Sequence, residues 1–160
     1  MKKLVLFLLV SAMVLTACGD EDENSKENTN QPNEDVESQE AMSTMNDMVK
    51  RMEELDYTSI DFDVIYDDKE FEGEIEQDDN LVESEFYDPF NSVNERGPAA
   101  FDAMFPIVKD LKLGQDMTDE EAVAISIEAF SIPDNFLKAE LQVTFKDGTE
   151  KAYEVKMNEM

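Results

Sequence analysis

Three stretches in the middle of the chain alternate apolar and polar residues with a period of two. Ile60, Phe62, Val64 and Tyr66 share one face of the first, Phe71, Gly73 and Ile75 one face of the second, and Val82, Ser84 and Phe86 one face of the third. That period sends successive side chains to opposite faces of a strand. The polar runs Asp67-Asp68-Lys69 and Gln77-Asp78-Asp79-Asn80 supply the turns between them. A fourth alternation sets Leu137, Ala139, Leu141, Val143 and Phe145 against Lys138, Glu140, Gln142 and Thr144. Asp147-Gly148 then turns the chain into a fifth strand, with Tyr153, Val155 and Met157 facing inward.

Elsewhere the spacing is helical. Met42, Met45, Met48, Val49, Met52 and Leu55 make one stripe of residues 41–55, with Asp47, Lys50, Arg51, Glu53 and Glu54 around the rest. Pro98 suits a first helical turn, and Ala99, Ala100, Phe101, Met104, Phe105, Val108 and Leu111 follow as a broad apolar face. Pro106 lacks the amide that would bond back to Asp102, which predicts a kink or a break before Gly114 ends the segment. Thr118-Asp119-Glu120-Glu121 has the form of a capping box. The helix it starts presents Ala122, Ile125, Ala129 and Phe130, with Val123 and Ile127 partly covered, and stops before Pro133. The pattern predicts an α+β fold: an antiparallel sheet of about five strands in the order β-β-β-α-α-β-β, helices packed on one face, preceded by an amphipathic helix.

The first residues read differently. Lys2 and Lys3 precede an apolar run over residues 4–12, and residues 13–17 lead to Cys18, the only cysteine. This is the layout of a secretory leader. As a helix, residues 4–17 reach only about 21 Å, against about 30 Å of membrane hydrocarbon. Leu15-Thr16-Ala17-Cys18 resembles the lipobox of bacterial lipoproteins, in which the cysteine thiol accepts a diacylglyceryl group and becomes the first mature residue. The alternative is a chance cysteine closing an ordinary leader or anchor helix. On the lipobox reading, residues 1–17 are removed, two acyl chains on Cys18 hold the chain to the membrane, residues 18–40 form a spacer, and residues 41–160 fold. The spacer has Val36 as its one hydrophobic residue from Gly19 to Glu40, so it is expected to be disordered and extended by its own charge.

Charge narrows the partners. The chain carries 13 basic and 40 acidic residues, a net charge of -27, and loss of Lys2 and Lys3 takes it to -29. Such a surface does not bind nucleic acid, which needs a basic footprint, and it repels anionic headgroups, leaving attachment to the lipid. There is no histidine, which removes Ser-His-Asp and Cys-His nucleophile systems and imidazole ligation. With Cys18 lipidated no disulfide forms, and no cofactor is implied.

Two constellations invite chemistry. The methionines of residues 41–55 could offer thioethers to Cu(I), but no cysteine or histidine accompanies them, and a methionine-rich packing face is the stronger reading. On the strands, Asp61, Asp63, Glu70, Glu72, Glu74, Glu76, Glu83 and Glu85 fall opposite the apolar positions, so they share the wet face. Oxygen ligands suit Ca²⁺, yet no D-x-[DN]-x-[DN]-G loop occurs and carboxylates on flat strands do not converge. A solvated acidic face is therefore favoured over a weak cation site. A pair of these carboxylates could instead serve a glycan hydrolase, though no concave pair with opposed acidities is legible. The reading favoured overall is a non-catalytic envelope module that binds a protein or peptide.

Tyr66 with Phe71-Glu72-Gly73, Gly97 with Ala100-Phe101, Asp116-Met117-Thr118, Ala129-Phe130 and the hairpin segment from Leu141 to Gly148 form one further pattern. On these residues the region from Phe62 to Val155 resembles the YusW-like family, small exported or lipid-anchored proteins of Bacillus-type bacteria. The resemblance implies the fold and a location on the outer face of the cell membrane in a Gram-positive-type envelope. It brings no catalytic residue with it. Pro106 departs from the family's uninterrupted helix.

Overall fold

The computed structural model describes residues 34–157, so the expected leader, Leu15, Thr16, Ala17, Cys18 and the spacer up to residue 33 lie outside it. The elements are α1 (Glu34–Met52), β1 (Tyr57–Ile65), β2 (Glu70–Asp78), β3 (Leu81–Asp88), β4 (Val93–Arg96), α2 (Pro98–Asp110), α3 (Asp119–Phe130), β5 (Lys138–Phe145) and β6 (Glu150–Lys156). The helix expected from residue 41 thus begins at Glu34 and takes in the last residues assigned to the spacer. The strands form one sheet in the order β4-β3-β2-β1-β5-β6, every neighbouring pair antiparallel. β1 sits at the centre and joins the first meander to the closing hairpin.

The sheet has six strands where about five were expected. The addition is β4, four residues with Val93 alone apolar, too short and too polar to show an alternation. What makes it is the turn before it. The buried Asp88 carboxylate accepts from the amides of Phe90 and Asn91, at 2.8 and 3.1 Å, and from the Asn91 side-chain amide. These bonds reverse the chain after β3, as aspartate does in turns.

One face of the sheet is the core. Ile60, Phe62, Val64, Phe71, Ile75, Val82, Phe86, Ala139, Leu141, Val143, Phe145 and Tyr153 are all buried beneath the helices. α2 crosses β2, β3 and β4, α3 covers β5 and β6, and α1 lies against β3 and α2. Phe62, Phe71, Phe86 and Phe130 meet in the middle with ring centroids 5.2–6.0 Å apart, spacings at which edge-to-face contacts add to burial. Gly73 admits α2 at that point: a Cβ there would stand 3.2 Å from Met104 Cε.

Three tyrosines tie the connections to the sheet. Tyr57 Oη donates to the Leu111 carbonyl (2.7 Å) and accepts from the Leu113 amide (2.9 Å). Tyr66 Oη donates to the Pro133 carbonyl and Tyr153 Oη to that of Gly114. Burial pushes all three phenols up, Tyr66 to about 12, because the charged form would lose its water.

Several expectations need correction. Of the kink or break expected at Pro106, the break does not occur, since α2 continues to Asp110; both Pro106 and Asp102 face solvent, so the carbonyl left without a partner can be hydrated. Ala99 is exposed rather than part of the apolar face. On α3 the seam is Ala122, Val123, Ser126, Ile127 and Phe130, while Ile125 and Ala129 are only half-buried. Ser126 fits this seam because its hydroxyl donates to the Ala122 carbonyl at 3.0 Å. Leu137 and Met157 do not point into the core: they lie just outside β5 and β6 and are exposed. The capping box stands as expected, with Thr118 Oγ1 accepting from the Glu121 amide and the Glu121 carboxylate accepting from the Thr118 amide.

Candidate functional site: an open acidic sheet face

No described element covers the second face of the sheet, and the strand registers arrange it in rows. One row reads Arg96, Glu85, Glu74, Asp61, Gln142 across β4, β3, β2, β1 and β5. The next reads Tyr87, Glu72, Asp63, Glu140, Glu154 across β3, β2, β1, β5 and β6. A third holds Glu83, Glu76, Ser59, Thr144 and Glu150, and Glu70 opens a fourth beside Ile65, Lys138 and Lys156. All eight acids expected on the wet face are therefore on it. Glu140, Glu150 and Glu154 join them from the hairpin, unforeseen because the sequence does not say which strand neighbours β1.

Residues directly opposite one another have Cβ atoms about 4.5–5.5 Å apart, so the two central rows set like charges side by side. Asp61 and Asp63 lie at the middle. Partial burial pushes the Asp61 carboxyl up to about 6, with Glu74 and Glu72 adding like-charge repulsion. Asp63 is likewise raised to about 6, by burial first and then by Asp61 and Glu70. Burial followed by neighbouring acids also raises Glu72 and Glu74. Cations are few, and Lys138 offsets only part of the rise at Asp63. Arg96 pairs with Glu85, Lys138 bridges Glu140 and Glu154, and Lys156 pairs with Glu154. Hydrogen bonds from Lys156 and Lys138 hold Glu154 down to about 2, the opposite of the centre.

The twist of the sheet leaves a concavity of about 470 Å³ over Ser59, Asp61, Glu74, Glu76, Gln142, Thr144 and Glu150, with Lys151 and Ala152 of β6 also lining it. The two carboxyls there whose acidity is displaced, Asp61 and Glu74, both move upward. Hydrolysis of a glycoside needs one acid and one base, and two groups displaced in one direction do not divide that labour. Among the described residues no three acid, cysteine or histidine side chains converge on a metal geometry. The methionine stripe divides: Met48 and Met52 are buried in the core, Met42 is exposed, and Met45 Sδ accepts from the Val82 amide at 3.2 Å.

The architecture defines an open-faced α+β domain, one helical layer on one antiparallel sheet, with a strongly acidic free face. The chain belongs to the YusW-like family, whose model matches residues 58–147, from β1 into the turn between β5 and β6. A relative, the uncharacterized protein YusW of Bacillus subtilis (strain 168), is 26% identical over 120 residues, 73% of this chain and 81% of that protein. No solved structure matches the chain.

Proposed function

We propose that this chain is a non-catalytic binding module, held by diacylglycerol on Cys18 to the extracytoplasmic face of a Gram-positive-type cell membrane, and that the open face of its sheet takes a cationic protein or peptide. The observation that carries the reading is the state of Asp61 and Asp63. Both sit at the centre of an uncovered face, both are raised to about 6 by burial and like charge, and the ion pairs on that face go to Glu85, Glu140 and Glu154 rather than to either aspartate. A cationic ligand laid across the rows relieves the repulsion, so the energy stored in the free face favours binding. The lipobox-like Leu15-Thr16-Ala17-Cys18 supports the anchoring half of the reading. The carboxylates stand in rows and, among the described residues, no three converge on a metal geometry, which favours an extended polycation over a single Ca²⁺ ion.

Titration of the lipid-bearing full-length protein in detergent with fluorescent lysine-rich and glutamate-rich peptides tests the binding half. The lysine-rich peptide is expected to bind, to weaken steeply between 50 and 300 mM salt (roughly the range over which the screening length shortens below 10 Å), and to weaken further with Asp61→Asn/Asp63→Asn. Equal behaviour of the two peptides at low salt would refute it.

A further inference from the structure

The two ends of the sheet are finished differently. At the β4 end the Gly97 amide donates to the Ser84 carbonyl, Ser84 Oγ donates to the Gly97 carbonyl, and the Val82 amide donates to Met45 Sδ of α1. At the other end β6 closes the strand order, and no described strand pairs beyond it. The phase of the β5–β6 ladder is fixed by the Phe145 amide donating to the Thr149 carbonyl and the Met157 amide donating to that of Leu137. Bonded pairs recur at every second residue of an antiparallel ladder. Lys151, Tyr153 and Val155 therefore bond inward to β5, and Ala152, Glu154 and Lys156 turn their N–H and C=O groups outward.

A groove runs beside this edge. α3 has α2 along one flank, and along the other a concavity of about 500 Å³. Val123, Ala124 and Ile127 of α3 line it, with Ile132 and Phe136 of the following connection and Val155 of β6. Its rim carries Glu120, Glu128 and Asp134, and no basic side chain lines it. A strand added to β6 would direct alternate side chains to opposite faces. One set would enter this apolar groove, and the other would lie on the acidic face beside Glu150, Ala152 and Glu154, the last already paired with Lys138 and Lys156, so that among the described residues Glu150 is the free acid of this edge.

We propose that the β6 edge and the α3 groove bind an extended segment of a partner protein in which apolar and basic residues alternate. Main-chain bonds to residues 152–156 hold the segment, the groove accepts its apolar side chains, and the acidic face accepts its basic ones. This rests on the binding-module reading above but assigns a second, sequence-selective surface. The probe is a nine-residue peptide alternating valine and lysine, compared with the same residues in block order, each titrated at low micromolar concentration against the full-length protein in detergent. The alternating peptide is expected to bind at least tenfold more tightly and to slow hydrogen exchange at the amides of Ala152, Glu154 and Lys156. Ala152→Pro removes an outward donor that the β5 ladder does not use, and Ala124→Arg blocks the groove from an exposed helical position. Each is expected to cost the alternating peptide at least tenfold, and Ala124→Arg, on the helical side of the sheet, is expected to leave the block-order peptide unchanged. Equal affinity for the two peptides, or protection elsewhere than β6, overturns the proposal and leaves the acidic-face reading standing. Failure of both peptides to bind overturns both.

Discussion

Asp61 and Tyr57 show how one position can work for or against the fold. Asp61 sits raised to about 6 among carboxylates on the central strand, so its charged form opposes folding at neutral pH. Asp61→Asn removes that charge and is expected to raise the melting temperature at pH 7 while leaving it nearly unchanged at pH 4, as differential scanning calorimetry would report. Tyr57→Phe has the opposite sign. It strips the Leu111 carbonyl and Leu113 amide of their buried partner and should destabilise by about 1–3 kcal/mol, read from urea unfolding. The placement of Asp61 was legible, since Ile60 and Phe62 must face inward and a one-residue slip would bury the acids. Its surroundings were not. Glu140 stands opposite Asp63 because β5 docks on the far side of β1, a non-local pairing that no local pattern encodes.

At the scale of elements, local chemistry was legible wherever it was self-contained. The Thr118 capping box is decided within four residues, and it formed; Thr118→Ala should cost about 1 kcal/mol, visible as a lower urea midpoint at unchanged m-value. β4 escaped because its cause lies in the bonds that Asp88 makes, not in its own residues. The face of α3 was misjudged because the choice between Val123 with Ile127 and Ile125 with Ala129 depends on where α2 and β6 lie. The α1–α2 contact could not be foreseen either: Arg51 stacks over Phe101 and Phe105, 4.7 and 4.4 Å from the ring centroids, while pairing with Asp47 and Asp102. Its guanidinium therefore does what a lysine would do poorly. Arg51→Lys is expected to loosen α1, raising amide exchange at Met48 and Met52 before the strands are affected.

For the molecule as a whole, the raised carboxyls set the dependence of stability on pH. Asp61 and Asp63 have folded-state values near 6, above the ordinary 3.8. Their stabilising contribution is complete below the ordinary value and is lost as pH rises through about 6. Glu154, held near 2, acts the other way: its contribution is present above its ordinary 4.5 and is lost as pH falls toward 2. Thermal stability should therefore rise as pH is lowered from 7.5 to about 5 and fall again in stronger acid, and a profile that falls steadily below pH 7 would contradict this. The tether is a separate claim: Cys18→Ala should abolish incorporation of labelled lipid and release the chain from membranes. The claim that the acidic face meets a cation is tested most directly at its centre, by following the carboxyl carbons of Asp61 and Asp63 by NMR across pH with and without a lysine-rich peptide. Bound cationic side chains should draw both groups down from about 6 toward the ordinary carboxylate range, with protons released on binding at pH 6. Values that stay near 6 in the presence of saturating peptide would contradict it.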